Sequence, residues 1–438
     1  MKFVSTRDPH NVVGFKEAVL DSLPIDGGLY VPEGNNDLKR WIYYADENTT
    51  FASLAGALTS AMINEEFSPL VCEAIAVDAF PCDPVFRQLD ENLFILELYH
   101  GATGTFKDFG VSYLTSALET ILTYDDERAI LVDFTKGELG ACMVNSLQGK
   151  KRLKSLLVSP KGKLRGLKDE DFAWNGGNVY PIEIDGTEED CRDAVRHVFC
   201  DRKLVKRHNL TAANTVNIGR VLPQTFFYTF AFSRLKKMTS GEIFYALAAG
   251  NYGNLVAGLY GWKFSLPVNG FIVPATPRLT VDAKGECIVM DSMIPLEKRG
   301  PTDPAEPSNI ERLEQIFKVD PLILKSFVYP AQVTAKETAD ACKSLFMKYK
   351  VYADEETSSS YAAALKRHDI TSEGEEAIVL VAREDPAIHR EFLMHNLGEA
   401  PAMKPNVARA FTPATVNRPP LEPSDFGSVE AALEFLSR

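Results

Sequence analysis

The chain has 438 residues, 45% hydrophobic and 24% charged, with 47 Lys and Arg against 60 Asp and Glu. That length holds two or three domains with cores of their own, in the composition range of a globular protein. The net charge of −13 argues against a nucleic acid or an anionic membrane as the main partner, and leaves room for local basic pockets that take small anions.

Residues 1–85 read as a mostly helical lead. A turn at Asp26-Gly27-Gly28 precedes a short apolar segment, and 51–64 and 69–79 carry helical apolar spacing. No chemistry is evident there. From residue 94 onward, apolar runs alternate with helical patterns. Strands are predicted at 94–98, 129–134, 155–158, 178–184, 243–248, 270–274 and 377–382. Helices are predicted at 111–122, 188–199, 219–232, 255–261 and 335–348. This alternation predicts an α/β fold with largely parallel sheets, and ligands at the carboxyl ends of strands where glycine turns begin helices. Residues 243–262 carry no charge and are long enough to span a membrane. Gly250-Asn251-Tyr252-Gly253-Asn254 in their middle reads better as strand, turn and helix. Proline-rich stretches at 295–307 and 401–423 read as a surface loop and a surface-wrapped tail.

The seven cysteines are odd in number, with no C-x-x-C pair and no zinc spacing to histidine. This predicts a reducing compartment and no structural metal. The opening Met1 to Asp8 lacks the apolar core of a signal peptide. The expected location is cytoplasmic.

The most informative stretch is Glu97 to Gly110, in which a strand runs through a small-residue turn into an amphipathic helix. Lys107 stands at the turn-to-helix junction. A lysine there has the wrong charge for the helix dipole. It is either a solvated surface lysine or one used as a neutral amine, as Schiff-base chemistry with an aldehyde requires. Two further glycine turns follow strands and open helices: Thr135-Lys136-Gly137-Glu138-Leu139-Gly140, and Gly250 to Asn254. Such turns offer backbone N–H groups to phosphate or carboxylate, or are simply connections. Asn214-Thr215-Val216-Asn217-Ile218-Gly219-Arg220 suits a polar ligand, or a helix start capped by Asn217. Lys161, Lys163, Arg165 and Lys168 form a cationic loop, either solvated or a funnel for a phosphorylated substrate. Of seven histidines only His100 lies within a motif.

In this order the pieces resemble threonine synthase of the bacterial and fungal type, a family of fold-type II pyridoxal-phosphate (PLP) enzymes. Ser5-Thr6-Arg7 and residues 24–32 resemble the family's start. His100 to Asp108 resembles its HGPT-x-AFKD motif, residues 214–220 its NSIN-x-x-R segment, and Gly250 to Asn254 its GNFGD phosphate turn. The resemblance implies a tryptophan synthase β-like fold. Its parts would be an N-terminal region at 1–85, a large PLP-binding domain at 86–128 and 225–438, and a smaller α/β domain at 129–224. It implies that Lys107 holds PLP as a Schiff base and shuttles protons, and that Gly250, Asn251, Tyr252, Gly253 and Asn254 bind its phosphate. Residues 135–140 correspond to the substrate-carboxylate loop. His100, Thr135, Lys136, Gly137, Asn214, Arg220, Lys161 and Lys163 are the candidate substrate contacts. The implied reaction converts O-phospho-L-homoserine and water to L-threonine and phosphate, in a monomer or homodimer.

The departures from the family pattern are specific. In the carboxylate loop, TSGDTG in the family, Lys136, Glu138 and Leu139 replace Ser, Asp and Thr, and Leu139 has no side-chain donor. Glu356-Thr357 stands where the family has Pro-His. Arg383 falls where a Thr hydroxyl meets the pyridine nitrogen, and a cation there disfavours a protonated ring. Two further readings follow: a PLP-dependent phospho-lyase acting on O-phosphothreonine or O-phosphohomoserine, and a non-catalytic relative.

Overall fold

The computed structural model describes residues 1–166, 177–318, 321–367, 376–414, 416 and 418–438. Lys168 of the cationic loop lies outside them. The N-terminal lead is not purely helical: β1 (Phe3–Ser5) pairs antiparallel with β2 (Tyr30–Pro32). Three-residue strands are too short to show a period, which is why the sequence suggested only a turn and an apolar segment. The helices Phe51–Ile63 and Pro69–Ala79 form as their spacing predicts. Thr50 caps the first by accepting the Ser53 N–H at 3.2 Å.

The remaining strands build two principal sheets and one separate hairpin. They are β3 (Val85–Gln88), β4 (Leu93–Glu97), β5 (Ala129–Phe134), β6 (Leu153–Pro160), β7 (Val179–Ile184), β8 (Leu210–Thr211), β9 (Ile243–Ala246), β10 (Gly270–Pro274), the hairpin β11 (Leu279–Val281) and β12 (Cys287–Val289), β13 (Val328–Ala331) and β14 (Ala377–Ala382). The larger sheet has the order β13-β10-β9-β14-β4-β3 and is parallel except for β3. Val379 of β14 sits between Tyr245 of β9 and Phe94 of β4. The smaller sheet, β7-β6-β5-β8, is parallel throughout. β4 and β9 are buried along their whole length, as helix-covered parallel strands should be. The uncharged run 243–262 is β9, a turn and the helix Gly253–Lys263. Among the described residues no helix is long and apolar enough to cross a membrane.

Phe51 joins the N-terminal region to the helix Lys107–Asp125. Its ring meets Phe80 at 4.8 Å, Phe109 at 5.4 Å and Phe230 at 5.6 Å, all edge to face. Phe109 lies in the first turn of the helix Lys107–Asp125. The packing thereby fixes the helix that carries Lys107. The predicted helix at 219–232 is three pieces, Ile218–Val221, a 3₁₀ turn Leu222–Gln224 and Thr225–Leu235. Pro223, which has no N–H, stands at the break.

The tail does wrap the surface, and it packs along the smaller sheet. Leu421 exchanges backbone hydrogen bonds with Glu183 and Asp185 beside β7. The helix Phe426–Ser437 buries Val429, Ala432, Leu433 and Leu436 among Ile130, Val132 and Leu156 of the smaller sheet. Residues 426–437 therefore lie with the four-stranded sheet, whereas the sequence reading grouped 225–438 with the other. The stripe of that helix is apolar enough to bury but does not say against which sheet.

Candidate active site

Three neighbouring parallel strands end at one place. β4 leads through residues 98–106 to Lys107, β9 to the Gly250 turn, and β14 to Arg383 and Glu384. Backbone bonds lock the first and last of these together: Leu98 N–H to the Ala382 carbonyl, Phe106 N–H to the Arg383 carbonyl and Asp385 N–H to the Gly104 carbonyl, each at 2.8 Å. Within the lysine loop, Asp108 accepts the Thr103 N–H and the Thr103 hydroxyl, both at 2.8 Å. Burial pushes the Asp108 carboxyl up.

Lys107 is the first residue of its helix, and its Nζ forms an ion pair with Glu138. Glu384 Oε1 lies 3.9 Å away. Burial disfavours the ammonium, yet the two carboxylates hold the amine above the usual lysine range. His389 Nε2 lies 2.8 Å from Glu384 Oε2. Burial opposes ionisation of Glu384, but His389 and Lys107 hold it down to about 2. The macrodipole conflict read from the sequence is real, and these carboxylates resolve it.

The Gly250 turn opens the helix Gly253–Lys263. Gly250 has φ +50° and Tyr252 φ +66°. Asn251 Oδ1 accepts the Gly253 N–H at 3.2 Å, while its amide donates to Thr215 Oγ1 at 2.9 Å. The Tyr252 hydroxyl meets Thr276 at 2.6 Å. Asn254 is buried, bonded to Gln224 and Tyr228. Arg383, 8% exposed, lies over this turn: a Cβ at Gly250 would stand 3.1 Å from its Nη1. Arg383 pairs with Glu356, and its Nε has no hydrogen-bond partner among the described residues.

Arg220 joins the site from beneath. It is 5% exposed and donates to the Lys107 carbonyl at 3.1 Å. Burial lowers its pKa to about 10. A Cβ at Gly110 would fall on its guanidinium, so the close approach requires glycine there. Asn214 is committed elsewhere: its amide donates to Asp133 at 3.1 Å and to the Pro304 carbonyl at 2.8 Å. Asn217 caps, as read, accepting the Gly219 N–H at 2.9 Å.

In the loop 135–140, Thr135 Oγ1 accepts the N–H groups of Gly137 (2.9 Å) and Gly140 (3.2 Å), which shapes the turn at φ +129°. Lys136 does not face Lys107. It is 61% exposed and pairs with Glu188 at 2.7 Å. Lys161 is likewise turned outward, exposed and paired with Asp185 at 2.7 Å, and Lys163 is exposed. His100 Nε2 lies 2.7 Å from Glu97. The structure thus gathers Lys107, Arg220, Arg383 and the Gly250 turn, holds Thr135 and Gly137 at one edge, and leaves Lys136, Lys161 and Lys163 outside.

Three residues that the sequence did not single out as working parts complete the cluster: Glu356, Glu384 and His389. The pattern Arg383-Glu384-Asp385 after an apolar strand was the available signal. Glu356 stands out in the sequence only as a departure from the family's Pro-His pair, and its pairing with Arg383 joins positions 27 residues apart.

Residues 2–80 match the family model described as threonine synthase N terminus. The chain is 28% identical over 411 residues to threonine synthase of Escherichia coli K12, covering 91% of this chain and 92% of that one. It is 27% identical over 357 residues to that of Haemophilus influenzae, covering 80% and 81%. Its fold superposes on PLP-bound threonine synthase of Brucella melitensis with a TM-score of 0.81 at 23% identity, covering 100% of both chains. The fold is that of the fold-type II PLP enzymes, and the chain is similar to threonine synthases over most of its length.

Proposed function

We propose that the protein is a PLP-dependent carbon–oxygen lyase of the threonine synthase type, converting O-phospho-L-homoserine and water to L-threonine and phosphate. The observation that carries this reading is that Lys107 and the Gly250 turn follow the carboxyl ends of β4 and β9, the two strands that flank β14 in one parallel run. An aldehyde bearing a phosphate needs an amine at one end and an anion cradle at the other, and the two elements supply them. The donor set fits PLP: a primary amine, a glycine turn at a helix N-terminus, and a buried guanidinium whose Nε lacks a partner beside that turn. When bound, PLP supplies the electron sink for carbanion chemistry at the amino acid.

The chain's own residues do the rest. Lys107 would hold the cofactor aldehyde and would move protons at the substrate carbons within its reach. Glu138 and Glu384 hold Lys107 as the ammonium in the resting site. Arg220 fixes the start of the Lys107 helix through the backbone carbonyl, so the amine does not drift. Thr135 and Gly137 keep the turn of the carboxylate loop open to a small anion.

A second reading, a phospho-lyase on O-phosphothreonine or O-phosphohomoserine, is favoured by one observation. Lys136 points to Glu188 and Leu139 packs toward the core, so the loop has lost hydroxyl donors without gaining a cation in the site. Incubation with each phospho-amino acid separates the two. Threonine from O-phosphohomoserine supports the first reading; a keto acid with phosphate and ammonia, and no threonine, supports the second. The further placement we propose is a cytoplasmic enzyme, monomeric or homodimeric, with all seven cysteines free.

A further inference from the structure

We infer that Arg383 is the cationic arm of the Gly250 phosphate turn, and that Glu356 is an internal carboxylate that holds this arm until a phosphate-bearing ligand displaces it. The inference rests on the reading that the turn faces such a ligand.

The geometry gives the reason. Arg383 leaves the end of β14, and its guanidinium lies against Gly250, where a Cβ would stand 3.1 Å from Nη1 and 3.4 Å from Nη2. The turn opens an eleven-residue helix, whose N-terminus carries partial positive charge. A guanidinium packed on the positive end of a helix is repelled unless an anion stands with them. Glu356 is the carboxylate paired with it, and its side chain is about half exposed (47%). Arg383 is buried, stacked over Phe106 at 5.1 Å, and its Nε has no partner among the described residues. A guanidinium has five donors in a planar fork that suits phosphate. The spare Nε donor and the helix N-terminus both point to a ligand anion more highly charged than one carboxylate. Glu356 opens the helix Glu355–Lys366 at its first turn, so it can swing out to water without unpacking a core.

The test uses the full-length protein and inorganic phosphate as probe, read by thermal shift and titration calorimetry, with Glu356→Gln, Arg383→Gln and Arg383→Lys. Removing the competing carboxylate should tighten phosphate binding roughly ten-fold, and removing the guanidinium should weaken it by a similar factor, with lysine between. Phosphate binding indifferent to both positions would overturn the inference. Glu356→Gln keeps the test open if the buried Arg383 variants fail to fold. A parallel titration compares pyridoxal phosphate with pyridoxal, trapped at Lys107 by borohydride. Trapping that is intact while neither substitution changes the advantage of the phosphate overturns this inference and spares the cofactor reading. Phosphate binding that depends on Arg383 while nothing is trapped at Lys107 does the reverse.

Discussion

Lys107 is an ammonium between two carboxylates, and its chemistry turns on how easily it gives up that proton. Burial pulls its pKa down, while Glu138 and Glu384 raise it more. Glu138→Gln should therefore shift the pH profile of borohydride trapping with pyridoxal phosphate toward lower pH and raise the trapping rate near neutrality. An unchanged profile would show that Glu138 does not govern the amine. The Glu384–His389 pair gives a second pH signature. Glu384 is depressed from 4.5 to about 2, so its stabilisation is present above about 4.5 and is lost as pH falls. His389 is raised above 6.5 by its bond to Glu384, so its stabilisation is present below 6.5 and is lost as pH rises through the raised value. The pair stabilises most between about pH 4.5 and 6.5. The urea midpoint difference between the native protein and His389→Ala should peak in that window and shrink as pH rises above it; a flat difference would contradict it. Arg383 was legible as a departure but not as a contact. A residue that ends a strand can point to either side, and only the fold brings it over Gly250.

The elements divide by how strongly period and punctuation specify them. Long buried strands and helices appeared in the sequence because each carries its own apolar pattern. β3 and β13 did not. β3 is an edge strand with half-exposed side chains, and β13 contains Pro330, tolerated because it too lies at an edge. The glycine turns were visible, but their partners were not: Gly110 is needed only because Arg220, far away in sequence, lies beneath it. Gly110→Ala should cost about 1–3 kcal/mol by overpacking and should loosen the Lys107 helix. Its urea midpoint, with trapping at Lys107 measured alongside, checks both effects. Away from the site, Thr187 and Asp190 form a capping box on the helix Glu188–Cys200. Thr187→Ala should cost about 1 kcal/mol and leave trapping unchanged. A loss of trapping there would mean that the smaller sheet transmits more to Lys107 than its contacts imply.

At the scale of the molecule, two parallel sheets supply one site, and loops from elsewhere brace it. The proline-rich loop offers the Pro304 and Pro307 carbonyls to Asn214 and Asn251. The tail offers Asn406 to the carbonyls of Gly101 and Ala102 in the lysine loop. These braces could not be read from the sequence, since a polar side chain in a loop has many possible carbonyl partners and only chain closure selects one. What could be read was the order of the motifs, because each one is a strand, a glycine turn and a helix start within a few residues. The order alone placed Lys107 and the Gly250 turn in one family pattern, and the sheet order sets their strands, β4 and β9, on either side of β14. The decisive measurement is the visible absorbance of the full-length protein with added pyridoxal phosphate, before and after borohydride, with Lys107→Ala alongside. The account predicts a band that borohydride removes from the native protein and that the variant never shows. No band in the native protein would contradict it.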